Sequence, residues 1–600
     1  MHRTFATSTT RRQRTLDGQW SFVTDPDDRG LTAEWYDSFP PDADRIAVPA
    51  AWNARTGYHD YEGVAWYRRR FDQPAATTAV LTFHGVCHDA TVWLDGERVA
   101  DHYGGYTPFS AVVDLDAGEH ELVVRADSSR DERSVPKPGT DWFPYGGITR
   151  EVVLAEVPGL FVEGLAAEYE FDGNRVALDA TVTLHNRGDG VPIHPDDRDG
   201  GADDPDSEPA DVRTADAGTA DDGDEPATVE LAVEPARDAP VPGTGSASVA
   251  ESVAVPAGRA TVAVDLSLAF DADRWSPDRP ALYELVARVD GDERRERVGF
   301  REVAVTDADV LVNGDPVRFR GVNRHEDHPE WGHAQPARLQ ELDLDLVERA
   351  GFNAVRTSHY PNHPRFLDMC DERGVLVLEE IPYWQFDAER FDREGVLDRG
   401  RTALREMIDR DRHHPSVVAW SVTNECANEE AGVYDATATL VETAREADDR
   451  PVTLATNNFG AGRGGEDPAL ELVDFACLND YPGWYTEGEW SDLVEHVRER
   501  YPNLPILVSE FGASAVAGER TRENQKWSEG YQADVVADAV EYFEAADPVV
   551  GFTVWQFCDT RTDPRGWSGR PKTKNNKGIV DEYRRPKDAY YRLADRFGDE

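Results

Sequence analysis

The stretch Val417-Val418-Ala419-Trp420-Ser421-Val422-Thr423-Asn424-Glu425 decides the fold of this chain. Its body is apolar apart from Ser421 and rich in β-branched residues, as in a strand buried on both faces, and its last three residues are polar. An amphipathic helical pattern follows over Asp435–Ala447, and a second apolar run follows at Val452–Thr456. Strand, helix, strand is a βαβ unit, and its crossover makes the two strands parallel.

The same alternation extends in both directions. Strand-like runs lie at Val317–Val322, Ala354–Thr357, Val375–Ile381, Val417–Thr423, Val452–Thr456, Leu472–Asn479, Ile506–Glu510 and Val549–Phe557. Helical patterns lie between them at Pro336–Ala350, Pro364–Arg373, Thr402–Arg412, Asp435–Ala447, Trp490–Tyr501 and Glu529–Ala545. Eight such strands over about 290 residues predict a C-terminal (β/α)8 TIM barrel spanning 306–600. A doubly wound open sheet is the alternative, weakened because no Gly-rich phosphate loop follows the first strand.

Upstream of residue 306 the rhythm is all-β. Short alternating runs at 79–83, 90–94 and 120–126, punctuated by Asp95-Gly96 and Ala117-Gly118, predict a jelly-roll sandwich over 13–158. Runs at 175–184 and 283–289 predict a second, immunoglobulin-like β-sandwich over 159–305. The whole is a multidomain β plus α/β chain. From Asp189 to Glu225 there are 14 acidic residues, two basic ones and no aromatic, which predicts a disordered acidic insert in the second sandwich.

Composition narrows the function. Acidic residues outnumber basic ones 116 to 63, for a net charge of −53, and only six of the basic residues are lysine. Such a surface repels nucleic acid and anionic membrane. It resembles the cytoplasmic proteins of salt-accumulating halophiles, because near 1 M salt the Debye length falls to ~3 Å and self-repulsion is screened. No apolar run is long enough for a membrane helix, and Arg11-Arg12 is followed by no apolar export segment, so the expected location is cytoplasmic. The five cysteines are scattered and read as reduced thiols. No metal-ligand spacing is present, so neither a catalytic metal nor a cofactor is expected. A homo-oligomer is compatible with the sequence.

In a TIM barrel the chemistry sits at the C-terminal ends of the strands. Here those ends read Asn323-Arg324-His325-Glu326, Arg356-Thr357-Ser358-His359-Tyr360, Glu379-Glu380, Thr423-Asn424-Glu425, Asn479-Asp480-Tyr481, Ser509-Glu510-Phe511-Gly512 and Trp555-Gln556-Phe557. Acidic, polar and aromatic groups converge on one rim with no phosphate motif, so a carboxylate-based reaction on a hydroxyl-rich carbohydrate follows. Glycoside cleavage needs one carboxyl group to protonate the leaving oxygen and a second to act on the anomeric carbon. Glu425 and Glu510, on the fourth and seventh strands, are the candidates. Either alone would read as a solvated strand-end residue or an Arg partner; the pair on one rim does not.

These motifs resemble glycoside hydrolase family 2, which holds β-galactosidases, β-glucuronidases and β-mannosidases on a jelly roll, an immunoglobulin-like domain and a barrel. Gly321-Val322-Asn323-Arg324-His325-Glu326, Arg356-Thr357-Ser358-His359-Tyr360-Pro361 and Trp420-Ser421-Val422-Thr423-Asn424-Glu425 carry the likeness. It implies a retaining exo-glycosidase in which Glu425 is the acid/base and Glu510 the nucleophile. Asn424 would bond the sugar 2-hydroxyl, and Tyr481 the nucleophile. His325 and His359 would touch sugar, and Trp555 would form the floor beneath the ring.

The sugar is suggested by Asn575-Asn576-Lys577-Gly578-Ile579, in a stretch holding three of the six lysines. It looks like the β-glucuronidase motif in which Asn575 and Lys577 hold the C6 carboxylate. Asp141-Trp-Phe-Pro-Tyr145 resembles the segment that delivers Asp141 to the sugar. Cys477-Leu-Asn479-Asp-Tyr481-Pro-Gly-Trp-Tyr485 resembles the sixth-strand segment, adding Asn479 and Tyr485. The expected substrate is a β-D-glucuronide, with β-galactosidase and galacturonidase as alternatives. Cys426, Asp480 and the loop 559–570 depart from the glucuronidase pattern.

Overall fold

A computed structural model describes residues 5–187, 213–214, 225–256, 259–459 and 465–598. The N-terminal part is a sandwich of a four-stranded and a six-stranded antiparallel sheet. The alternation read from the sequence is the packing pattern: Ala79, Leu81 and Phe83 of one sheet meet Leu122, Val124 and Ala126 of the other in one core. The middle part is a second sandwich of two four-stranded sheets around Val176, Leu178, Leu231, Val264 and Leu285.

Most of the acidic stretch 189–225 lies outside the described residues. Its extent as a single structureless insert needs correction. Arg213–Thr214 pair in parallel with Val262–Ala263, and Glu225 already opens the strand Glu225–Pro235.

The C-terminal part is a closed parallel barrel of eight strands: β1 (Phe319–Asn323), β2 (Ala354–Thr357), β3 (Leu376–Glu380), β4 (Val417–Asn424), β5 (Val452–Thr456), β6 (Phe475–Asn479), β7 (Ile506–Glu510) and β8 (Val549–Val554). β8 closes onto β1 through Phe319–Val322. All eight expected strands form. The sixth starts later than its apolar run because Pro468–Leu472 winds into a 3-10 helix, capped by Asp467 and opened by proline. The third expected helix starts earlier, at Val396. A C-terminal helix, Asp588–Phe597, escaped the strand–helix rhythm because no strand follows it; it buries Ala589, Tyr590 and Leu593.

Strand alternation explains where the rim comes from. Ala354, Leu376, Leu378, Cys477 and Leu507 join the core that includes Phe319 and Val418, and Trp275 of the middle sandwich belongs to the same cluster. Two residues further along each strand the same face presents Arg356, Glu380, Asn479 and Ser509. Val355, Val377 and Val508 belong instead to the cluster shared with the helices. These four strands are thus apolar low in the barrel and polar at their C-terminal ends.

The N-terminal sandwich is tied to this end of the barrel. Arg150 donates to Glu326 (3.1 Å) and to the Pro361 carbonyl, with both charged side chains buried. Arg130 pairs with Asp563, whose carboxylate also accepts the Gly139 N–H at 2.9 Å. Removing one partner of such a buried pair costs about 3–5 kcal/mol, because the other charge is left stranded.

Candidate active site

Glu425 and Glu510 line one open pocket at the C-terminal ends of the strands. Asp141, Asn479, Tyr481, Tyr485, Trp555 and Lys577 line it too. His325, His359, Asn424 and Asn575 are fully buried directly behind these residues. The rim therefore gathers all the residues singled out from the sequence.

The carboxylate of Glu510 is held by two donors. Arg356 Nη1 reaches Oε1 at 2.9 Å and the Tyr481 hydroxyl reaches Oε2 at 2.6 Å. Arg356 also donates to Glu380 at 2.7 Å and to the Asn424 amide oxygen at 2.7 Å. One buried guanidinium thus stands between two carboxylates. Burial alone would raise Glu380, but Arg356, His359 and Ser421 hold it below the usual carboxylate range. Glu510 goes the other way: burial first, then the nearby charge of Glu425, push it up to about 8 against the pull of Arg356 and Tyr481. Tyr481 itself lies well above the usual phenol range, through burial and the charge of Glu510, so it remains a donor.

Glu425 stands just past the end of β4 with φ 53°, the left-handed region that costs a non-glycine residue about 1–3 kcal/mol when strained there. Its N–H bonds the Ala455 carbonyl of β5 at 2.7 Å. Its carboxylate accepts from Asn479 Nδ2 at 3.0 Å and from Gln385 Nε2 at 2.8 Å. Asn479 is in turn fixed by Ser509 (2.7 Å) and by its own donation to Asn424 (3.0 Å).

Two buried donors behind the pocket, His325 Nε2 and Asn424 Nδ2, meet no hydrogen-bond partner among the described residues. Buried polar groups are ordinarily satisfied, so both suit a polar ligand in the pocket. His325 is neutral, since burial drives its pKa well down. The Trp555 ring stacks on His359 at 5.0 Å and meets His325 edge-on at 5.3 Å. Gly512 is required beside it: at φ +149° an added Cβ would lie 2.5 Å from the Trp555 carbonyl.

Of the lysine cluster only Lys577 lines the pocket; Lys574 pairs with Glu582. The Lys577 ammonium lies 2.7 Å from the Tyr485 hydroxyl and 4.5 Å from that ring's centroid. Burial lowers its pKa, which Tyr485 partly offsets. Gly578 lets this turn pass, as a Cβ there would sit 2.2 Å from the Asp559 nitrogen.

Asp141 is placed differently from a free sugar ligand. Arg570 grips its carboxylate with both guanidinium arms, and Asn575 donates to it at 2.9 Å. Sequence reasoning missed Arg570 because the loop 559–570 matches no motif; Arg130 and Gly139 of the sandwich fix that loop through Asp563. It also missed Gln385, Trp384 and Trp567, which line the pocket. Asp480 is turned onto its own turn, accepting from the Tyr481 N–H at 2.6 Å and the Thr486 hydroxyl at 3.2 Å. Among the described residues, Asp368, Asp371 and His414 approach closely enough to hold an ion. They lie at the opposite end of the barrel strands, where Asp371 already binds His414 and Ser416.

Comparison with known proteins agrees with this geometry. Residues 303–598 match the TIM-barrel domain of glycosyl hydrolases family 2, and residues 13–158 match that family's sugar-binding domain. A β-glucuronidase of Paenibacillus borealis is 28% identical, over 98% of this chain and 97% of its own. The β-glucuronidase of Homo sapiens is also 28% identical, over 98% of this chain and 91% of its own. The crystal structure of a family 2 β-galacturonidase from Eisenbergiella tayi, bound to galacturonate, superposes with a TM-score of 0.83 and 30% identity, covering 100% of this chain and 99% of that one. Two β-sandwiches leading into a barrel with a carboxylate-lined pocket define a glycoside hydrolase. The chain belongs to glycosyl hydrolase family 2 and is β-glucuronidase-like.

Proposed function

We propose that the enzyme hydrolyses terminal β-D-glucuronides with retention, by double displacement. Glu425 protonates the glycosidic oxygen while Glu510 attacks the anomeric carbon. The C1–O bond breaks, the aglycone leaves as an alcohol, and a glycosyl ester forms on Glu510. Glu425, now ionised, then takes a proton from water, which attacks the same carbon and releases Glu510. Arg356 and Tyr481 orient the nucleophile and take up the charge that returns to it. Asn424 bonds the sugar 2-hydroxyl, His325 and His359 face its other hydroxyls, and Trp555 supplies the floor.

The observation that carries the sugar assignment is the Lys577 ammonium inside the pocket. With Arg570 compensating Asp141, one positive charge remains at that end, matching one substrate carboxylate. The 30% identical galacturonidase supports a second reading, a β-galacturonide, which differs only at C4 and uses the same carboxylate chemistry. Parallel assays on nitrophenyl β-glucuronide, β-galacturonide and β-galactoside test both readings. A preference for the galactoside overturns both. The net charge of −53 supports work in concentrated salt.

A further inference from the structure

The residues that follow β3 run alongside those that follow β4. The Asn424 N–H donates to the Tyr383 carbonyl and the Gln385 N–H to the Asn424 carbonyl, each at 2.8 Å. The Phe386 N–H then meets Cys426 Sγ at 3.4 Å, and the Ala427 N–H meets the Phe386 carbonyl at 2.9 Å. At the centre of this zipper Gln385 and Glu425 face each other, both in the left-handed region, at φ 54° and 53°. Adjacent strained residues at a site require surroundings that over-determine them. Here the surroundings are the backbone bonds just named and one side-chain bond, Gln385 Nε2 to Glu425 Oε2 at 2.8 Å.

From this we infer that Gln385 is a positioning residue for the acid/base: its amide fixes the rotation of the Glu425 carboxyl so that the proton is aimed at the leaving oxygen. The inference rests on the reading of Glu425 given above. A glutamate side chain has three rotors, and one anchor leaves it free to pivot. Asn479 holds Oε1 and Gln385 holds Oε2, so the carboxyl is fixed at both oxygens. The two anchors come from different strands, β6 and the extension of β3. The bond roles also separate. The Gln385 main-chain N–H serves the turn, whereas its side-chain amide is directed to Glu425. A substitution can therefore remove the second and keep the first.

The test uses aryl and alkyl glycosides of graded leaving-group ability, in the sugar that the wild type turns over best. Gln385→Met keeps the length and removes the donor. Gln385→Gly removes the side chain at a φ that glycine adopts freely, which guards against a failure to fold. Both variants are expected to lose about 10- to 100-fold in kcat/KM on poor leaving groups and under about threefold on dinitrophenyl glycosides, where protonation matters little. Glu425→Ala is the control, with the same leaving-group pattern and larger losses. If Glu425→Ala shows no such pattern, the reading of Glu425 falls. If Glu425→Ala shows it while the Gln385 variants lose equally on all substrates or on none, Gln385 only shapes the turn and the inference is overturned.

Discussion

The ammonium of Lys577 lies 2.7 Å from the phenolic oxygen of Tyr485, inside the pocket that holds both Glu425 and Glu510. A buried ammonium whose hydrogen-bond partner is a tyrosine hydroxyl is poised to exchange it for a carboxylate. A charge-assisted bond of that kind contributes about 1.5–3 kcal/mol. Lys577→Ala is expected to lower kcat/KM for a β-glucuronide about 10- to 150-fold while leaving a β-galactoside unchanged. The ratio of the two rates is the measurement, so general damage cancels. An unchanged ratio removes the uronide reading and leaves the two-glutamate chemistry intact.

Arg570 should share this phenotype through Asp141. Arg570→Ala leaves the Asp141 carboxylate without its guanidinium partner, hydrogen-bonded by Asn575 and drawing on the charge of Lys577, beside an anionic sugar. The uronide-to-galactoside ratio should fall about tenfold or more, and Asp141→Asn should restore part of it in the double variant. Strict additivity of the two changes would count against the coupling.

The two glutamates should separate by substrate. Glu510→Gln abolishes turnover of every substrate, because no covalent intermediate can form. Glu425→Ala retains activated substrates and regains part of their turnover with azide, which reaches the glycosyl ester without a base. Equal loss on all leaving groups in Glu425→Ala would contradict its role as proton donor.

Glu510 is raised to about 8 by burial and by the charge of Glu425. The nucleophile must be ionised, so kcat/KM for a dinitrophenyl glycoside, whose leaving group needs no proton donor, falls as pH drops through that region. Removing the neighbouring charge in Glu425→Gln should move the acid limb of kcat/KM, read on a dinitrophenyl substrate, to lower pH. The same shift carries a stability consequence of definite sign. A carboxyl raised in the folded state favours folding while it is protonated, and that contribution is lost as pH rises through the folded value. Glu510→Gln should therefore raise Tm more at pH 9 than at pH 5, and a larger gain at pH 5 would refute the assignment of the shift.

A net charge of −53 predicts a dependence on salt. Dialysis to 0.01 M lengthens the Debye length to ~30 Å and lets like charges repel across the whole surface. Circular dichroism and activity should both decline there and recover on adding molar salt. Full retention of structure after dialysis would overturn the halophilic reading.

The sequence by itself determined the architecture. Residue spacing of two in the sandwiches, and alternating apolar runs and amphipathic helices after residue 306, admit few other ways to bury the same side chains. It also determined which strand ends are polar, so Glu425 and Glu510 could be named from position, whereas Asn479 and Tyr481 are singled out through the family resemblance. Tertiary structure decided what those groups touch. Arg356 bridges Glu380 and Glu510, which lie 24 and 154 residues from it in sequence. Asp141 meets Arg570 across 429 residues, on a loop that the N-terminal sandwich fixes. Gln385 meets Glu425 only because two strand extensions run side by side. Pairings of this kind depend on how separate chain segments dock, and a charge or amide in a loop carries no periodic signal of its partner. The periodic part of the sequence therefore set the frame and the catalytic pair, while the non-periodic loops, legible only once folded, supplied the charge balance of the pocket.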